Sequence, residues 1–167
     1  MVCGFSAGGH LAASLGILWN RAEYFEEGTD LNLHKPDGMI LAYPVITSGE
    51  AAHRDSMVRL AGDDRKKQER YSLELHVNTD SVPAFLWGTA EDELVPVENT
   101  VLLLEKLTEY KVPVEYHLFP YGLHGLSLAT KEVEESDKQR WADQHIARWM
   151  PLCINWLDEV MSSGGKI

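Results

Sequence analysis

Residues 4–9 read GFSAGG, within an opening stretch MVCGFSAGGHLAASLG at residues 1–16, and the reading of these six residues decides the fold. A serine with glycine two positions to either side, after apolar residues and before a helix-forming run, is the pattern of a sharp strand-to-helix turn. Gly4 and Gly8 remove Cβ atoms that would collide as the backbone turns, and the turn thrusts the Ser6 hydroxyl outward. It also sets the Ala7 N–H at a helix start, where an unpaired donor and the helix dipole favour a developing oxyanion. Read alone, Ser6 is equally well an ordinary helix N-cap. Only Met1, Val2 and Cys3 precede the motif, so the strand leading into it is expected as a stub.

Outward from this turn, Leu11, Leu15 and Leu18 share one helical face with Ala12 and Ala13 beside them, which predicts a helix packed closely on a flat surface. A polar connection follows over residues 20–36. MILAYPVI, residues 39–46, is an unbroken apolar run between Asp37-Gly38 and Ser48-Gly49, the signature of a strand buried on both faces, with Pro44 near its end. Residues 49–77 are charged and weakly helical, with Met57, Val58 and Leu60 as apolar anchors, and read as a solvated segment or a cap over a site.

VPAFLWGT at 82–89 is a second buried strand, followed by a polar loop and a helical pattern over 97–110 carried by Val101, Leu104 and Leu107, with Leu103 beside them. Residues 114–119 repeat the strand signal and residues 121–125 form a glycine-bearing loop. Trp149, Cys153, Trp156, Leu157 and Val160 mark a closing helix, with Pro151 in its first turn, where proline costs no hydrogen bond. Strands alternating with helices predict an α/β fold of about four parallel strands flanked by helices, here one domain over residues 1–167.

The chain has 167 residues, 44% hydrophobic and 25% charged, enough for one buried core. Fifteen basic against 26 acidic residues give a net charge of −11, which repels a phosphate backbone and an anionic membrane surface. Neither a leader pattern nor an apolar run of membrane-spanning length is present in the sequence, so a cytoplasmic location is expected. Cys3 and Cys153 read as small buried core residues, not as a disulfide. No pair of histidines has zinc-site spacing with suitable partners, and no cofactor is expected.

In a parallel sheet, ligands bind at loops beyond the C-terminal strand ends. Asp92 follows the strand ending at Thr89, flanked by Glu91 and Glu93, and His124 follows the strand ending at Phe119. A serine hydroxyl is a poor nucleophile until a histidine takes its proton, and that histidine needs a carboxylate to fix its tautomer. Ser6, Asp92 and His124 therefore form a candidate constellation, each on a loop after its own strand.

With GFSAGGHLAASL, LAYPVI, VPAFLWGTAEDELVPVENT and VEYHLFPYGLHGLSLA, the chain resembles the α/β-hydrolase superfamily, and within it the acetyl esterases, acetylxylan esterases and related carbohydrate-ester hydrolases. The resemblance implies a partial α/β-hydrolase fold, its C-terminal half, lacking the N-terminal strands and the glycine-rich loop that supplies further oxyanion donors. It implies Ser6 as nucleophile, His124 as general base and then acid, Asp92 rather than Glu91 or Glu93 as the orienting carboxylate, and the Ala7 N–H as an oxyanion donor. His10, on the elbow helix, is expected to point towards packing. The implied activity is hydrolysis of small acyl esters, acetyl above all, on small molecules or oligosaccharides such as those of xylan. The alternatives are a prolyl-oligopeptidase-like serine peptidase fragment and a catalytically impaired fragment that persists as a folded oligomer. The uncovered edge of the nucleophile strand implies a homo-oligomer; neither nucleic acid nor membrane is an expected partner.

Overall fold

A computed structural model describes residues 1–162 of the chain. The turn at Ser6 joins strand β1 (Val2–Phe5) to helix α1 (Ala7–Leu18). The second apolar run divides: β2 is Met39–Ala42, while residues 43–46 leave the sheet and stay buried. Helices α2 (Arg54–Ala61) and α3 (Arg65–Glu69) cross the surface before β3 (Ala84–Thr89), α4 (Glu98–Glu109), β4 (Val114–Phe119) and α5 (Trp149–Ser162). Pro151 is the third residue of α5, in the turn whose N–H groups have no helical acceptor.

Sheet order follows chain order, β1-β2-β3-β4, with every pair parallel. Val2, Met39, Ala84 and Val114 stand in one row across the four strands. Side chains alternate between faces, so this row and the next, with Leu41, Leu86 and Tyr116, pack against Ala13 and Ile17 of α1 and Leu103 and Leu107 of α4. The intervening rows, Ile40 with Phe85 and Ala42 with Trp87, pack against Trp149, Cys153, Trp156 and Val160 of α5. Trp87 and Trp149 stack there with ring centroids 5.1 Å apart. The crossovers through α1 and α4 lie on the same face because both advance the same way across the sheet with the common handedness.

Three expectations about burial are corrected. Leu11 is 74% exposed: α1 lies so close to the sheet that its contact stripe is Gly9, Ala13, Gly16 and Ile17, and a Cβ on Gly16 would sit 2.7 Å from Met39 Sδ. Val58, Leu60 and Val101 are likewise exposed, and α4 packs through Asn99, Thr100, Leu103 and Leu107 instead. Cys3 is exposed, whereas Cys153 is buried. The reason is position: β1 is an edge strand, and α5 covers the sheet centre without reaching over Cys3. Among the described residues no helix is long and apolar enough to cross a membrane.

Candidate active site

The sharp turn predicted at GFSAGG is present and strained. Ser6 has φ 54° and ψ −123°, a region that non-glycine residues seldom occupy. Gly4 is obligatory behind it, because a Cβ there would lie 2.1 Å from the Gly8 carbonyl oxygen; Gly8 itself faces open space. The Ser6 carbonyl accepts from the N–H groups of Gly9, His10 and Val45, which ties the turn both to its helix and to the segment after β2. Ala7 is the first residue of α1, so its N–H has no intrahelical acceptor.

Ser6, Asp92 and His124, far apart in sequence, meet at the C-terminal ends of the strands. His124 Nε2 lies 2.8 Å from Ser6 Oγ, and His124 Nδ1 lies 2.6 Å from Asp92 Oδ2. The carboxylate only accepts, so Nδ1 carries the proton and Nε2 is left free to take one from the Ser6 hydroxyl. Asp92 is 6% exposed, and its other oxygen accepts from the N–H groups of Leu94 and Val95, which fixes the carboxylate within its loop. Of the neighbouring acids, Glu91 accepts instead from the Gly122 N–H.

The histidine loop is held from two further sides that sequence reading did not single out. Arg140 Nε donates to the His124 carbonyl at 2.7 Å, and its guanidinium lies where a Cβ on Gly125 would be, which the positive φ of Gly125 (85°) also disfavours. Tyr43 packs its ring on the imidazole, with centroids 4.9 Å apart. The segment after β2 is itself fastened by Asn99, wholly buried, whose Oδ1 accepts from the Ile46 and Thr47 N–H groups. The only sequence signals for these roles are the polar Asn99 within a helical pattern and the Tyr-Pro pair that ends the apolar run.

An apolar groove of about 460 Å³ opens beside Ala7, between α1 and α2, lined by Leu11, Val45, Met57, Leu60 and Tyr71 among others. His10, on its wall, is buried and donates through Nε2 to the Tyr71 carbonyl at 2.9 Å. Burial holds its pKa below the usual 6.5, against the opposing effects of that hydrogen bond and of the Glu74 field. The unfolded chain therefore binds this proton at a higher pH than the folded one, so stability is lost as pH falls through about 6.5 towards the folded value. We expect the denaturant midpoint to drop between about pH 7.5 and about pH 5.5, and the drop to be smaller in His10→Gln; equal drops would assign the effect to other groups. Among the described residues no group of three or more His, Cys, Asp or Glu side chains is arranged to hold a metal ion.

No protein-family model matches the sequence. Among solved structures, an acetyl ester-xyloside bifunctional hydrolase from Caldicellulosiruptor lactoaceticus superposes with a TM-score of 0.77 at 35% identity, over 95% of this chain and 55% of its own. A carboxylesterase from Lactobacillus plantarum superposes with a TM-score of 0.74 at 31% identity, over 95% of this chain and 57% of its own. In sequence, 140 residues are 40% identical to Endo-1,4-beta-xylanase B of Butyrivibrio fibrisolvens, covering 79% of this chain and 21% of that protein. The chain thus spans just over half the length of these structural neighbours and about a fifth of the curated relative.

Proposed function

From a chain that carries part of the α/β-hydrolase fold, in the manner of the acetyl and carboxylic ester hydrolases it resembles, we propose a serine carboxylic-ester hydrolase acting on small acyl esters. The observation that carries this reading is the continuous relay Ser6 Oγ, His124 Nε2, His124 Nδ1, Asp92 Oδ2, with gaps of 2.8 and 2.6 Å. His124 takes the Ser6 proton as Oγ attacks the ester carbonyl, and Asp92 stabilises the imidazolium. The Ala7 N–H donates to the oxyanion at the positive end of α1. The imidazolium then protonates the leaving alcohol, and water, activated by the same histidine, releases the acid from Ser6.

Acetyl groups on sugars or xylan oligosaccharides are the substrates we assign, supported by the acetyl ester-xyloside hydrolase among the neighbours. We seat the acyl group in the groove beside Ala7, which at about 460 Å³ also admits chains longer than acetyl. The test is a fluorophosphonate probe followed by mass mapping. One label per chain, on Ser6, is expected; label elsewhere, or none, would overturn the assignment.

A second reading, a folded domain with impaired turnover, is favoured by the single oxyanion donor we identify, the Ala7 N–H. Loss of one such donor lowers turnover by about 10²- to 10³-fold. Labelling of Ser6 without measurable hydrolysis of p-nitrophenyl acetate would select this second reading. The open edge of β1 supports self-association of two copies, since the backbone groups of Cys3 and Phe5 turned away from β2 lack a strand partner. Light scattering is expected to show a dimer at about micromolar concentration, and a monomer there would rule this out.

A further inference from the structure

Tyr43 is the first residue after β2, and its backbone is strained: φ is 37°, in a side chain with no glycine freedom, immediately before Pro44. Such a conformation costs about 1–3 kcal/mol and persists only where its surroundings impose it. Three contacts do so. The Tyr43 N–H donates to the Trp87 carbonyl at 2.7 Å, Pro44 presses on Gly9 so closely that a Cβ there would lie 2.7 Å from Pro44 Cβ, and the Val45 N–H donates to the Ser6 carbonyl at 3.1 Å. Residues 43–45 are thereby fastened to the backbone of the serine turn.

The side chain of the same residue reaches the opposite partner. Its ring, 6% exposed with the rest of the residue, stands edge-to-face on His124 at 4.9 Å and on Trp87 at 5.0 Å. Its hydroxyl accepts from the Ser127 N–H at 3.0 Å, and Ser127 lies three residues beyond His124 with φ 53°. One short segment therefore grips Ser6 through its backbone and His124 through a ring and a hydroxyl. We propose that Tyr43 is a positioning residue that sets the separation of His124 from Ser6, the joint between the serine turn and the histidine loop. This rests on the assignment of Ser6 and His124 as nucleophile and base. Its physical content is separate: without the ring the imidazole has a free side into which it can turn, and without the hydroxyl the 124–127 loop loses a tether.

The test uses the full chain, unaltered and as Tyr43→Phe and Tyr43→Leu, with two readouts. The first is the rate of Ser6 phosphonylation resolved into its maximal rate and half-saturating probe concentration. The second, independent of chemistry at Ser6, is the deshielded proton of the His124–Asp92 hydrogen bond followed by NMR. In Tyr43→Leu the maximal rate is expected to fall about 10²-fold with half-saturation unchanged, the effect of a displaced catalytic group, and the deshielded proton to vanish into solvent exchange. In Tyr43→Phe the rate falls by less than about tenfold, the weight of one neutral hydrogen bond, and the proton remains visible but exchanges faster. A folded Tyr43→Leu that labels at the unaltered rate and keeps the proton overturns the proposal. Should Tyr43→Leu not fold, Tyr43→Phe decides, and an unchanged exchange rate refutes the tether. If the unaltered chain takes no label while Tyr43→Leu loses the deshielded proton, the positioning role stands and the nucleophile assignment falls.

Discussion

Ser6→Ala is expected to take up no phosphonyl group and to hydrolyse p-nitrophenyl acetate no faster than the chain's background, while Asp92→Asn slows turnover by about 10⁴-fold with the fold intact. The difference between the two follows from geometry. The Ser6 Oγ forms the covalent bond, so its loss leaves nothing for the imidazole to activate. Asp92 acts at one remove, accepting the Nδ1 proton at 2.6 Å; an amide there presents a donor to Nδ1 and favours the wrong tautomer, with Nε2 protonated and unable to accept. Because the three side chains act as one unit, His124→Ala added to Ser6→Ala should cost almost nothing further. Turnover that persists in Ser6→Ala at the unaltered rate would show that the hydrolysis belongs to another group or to a contaminant. Equal damage from Glu91→Gln and Asp92→Asn would move the carboxylate role, although Glu91 accepts from the Gly122 N–H and not from the imidazole.

The second large effect separates two glycines that the motif treats alike. Gly4→Ala places a methyl 2.1 Å from the Gly8 oxygen and 2.5 Å from its carbon, both backbone atoms that no side-chain rotation can move aside. The turn must open, so we expect a destabilisation of about 3 kcal/mol and loss of Ser6 labelling, since the hydroxyl is carried on the displaced loop. Gly8→Ala meets nothing within 4 Å and lies in the first turn of α1, where replacing glycine by alanine favours the helix by up to about 1 kcal/mol. Thermal unfolding with parallel labelling checks both; a Gly4→Ala chain with the unaltered melting temperature would mean that the turn is slacker than its contacts indicate.

Much of this architecture was legible before any coordinates, for a definable reason. β4 occupies the predicted residues 114–119, and β3 occupies all but the first two residues of its run, because buried parallel strands read as unbroken apolar stretches whatever packs on them. The loops holding Asp92 and His124 were readable because a polar residue just beyond such a run has few structural reasons to be there. Less legible were features set by distance between elements. Leu11 looked like core because large apolar residues usually are, yet the close approach of α1 reserves its contact stripe for Gly9, Ala13 and Gly16. Cys3 looked buried because strand composition does not report which strand is at the edge. Tyr43 and Arg140 bear on the site through a ring face and a backbone carbonyl, contacts to which residue type and spacing are nearly blind.

The coincidence of sheet order with chain order has a consequence for how the molecule is made. As the chain leaves the ribosome, each strand emerges next to a partner already present, so the sheet can accrete from β1 to β4 without waiting for a distant segment. Its two faces are not completed together. The face bearing Met39, Leu41 and Leu86 receives α1 early and α4 before β4. The face bearing Phe85, Trp87 and Phe119 stays bare until α5, the last element described, brings Trp149 and Trp156 onto it. For the time it takes to translate residues 120–162, a nascent chain with a formed sheet presents an aromatic surface, and that interval is when it most needs a chaperone's cover.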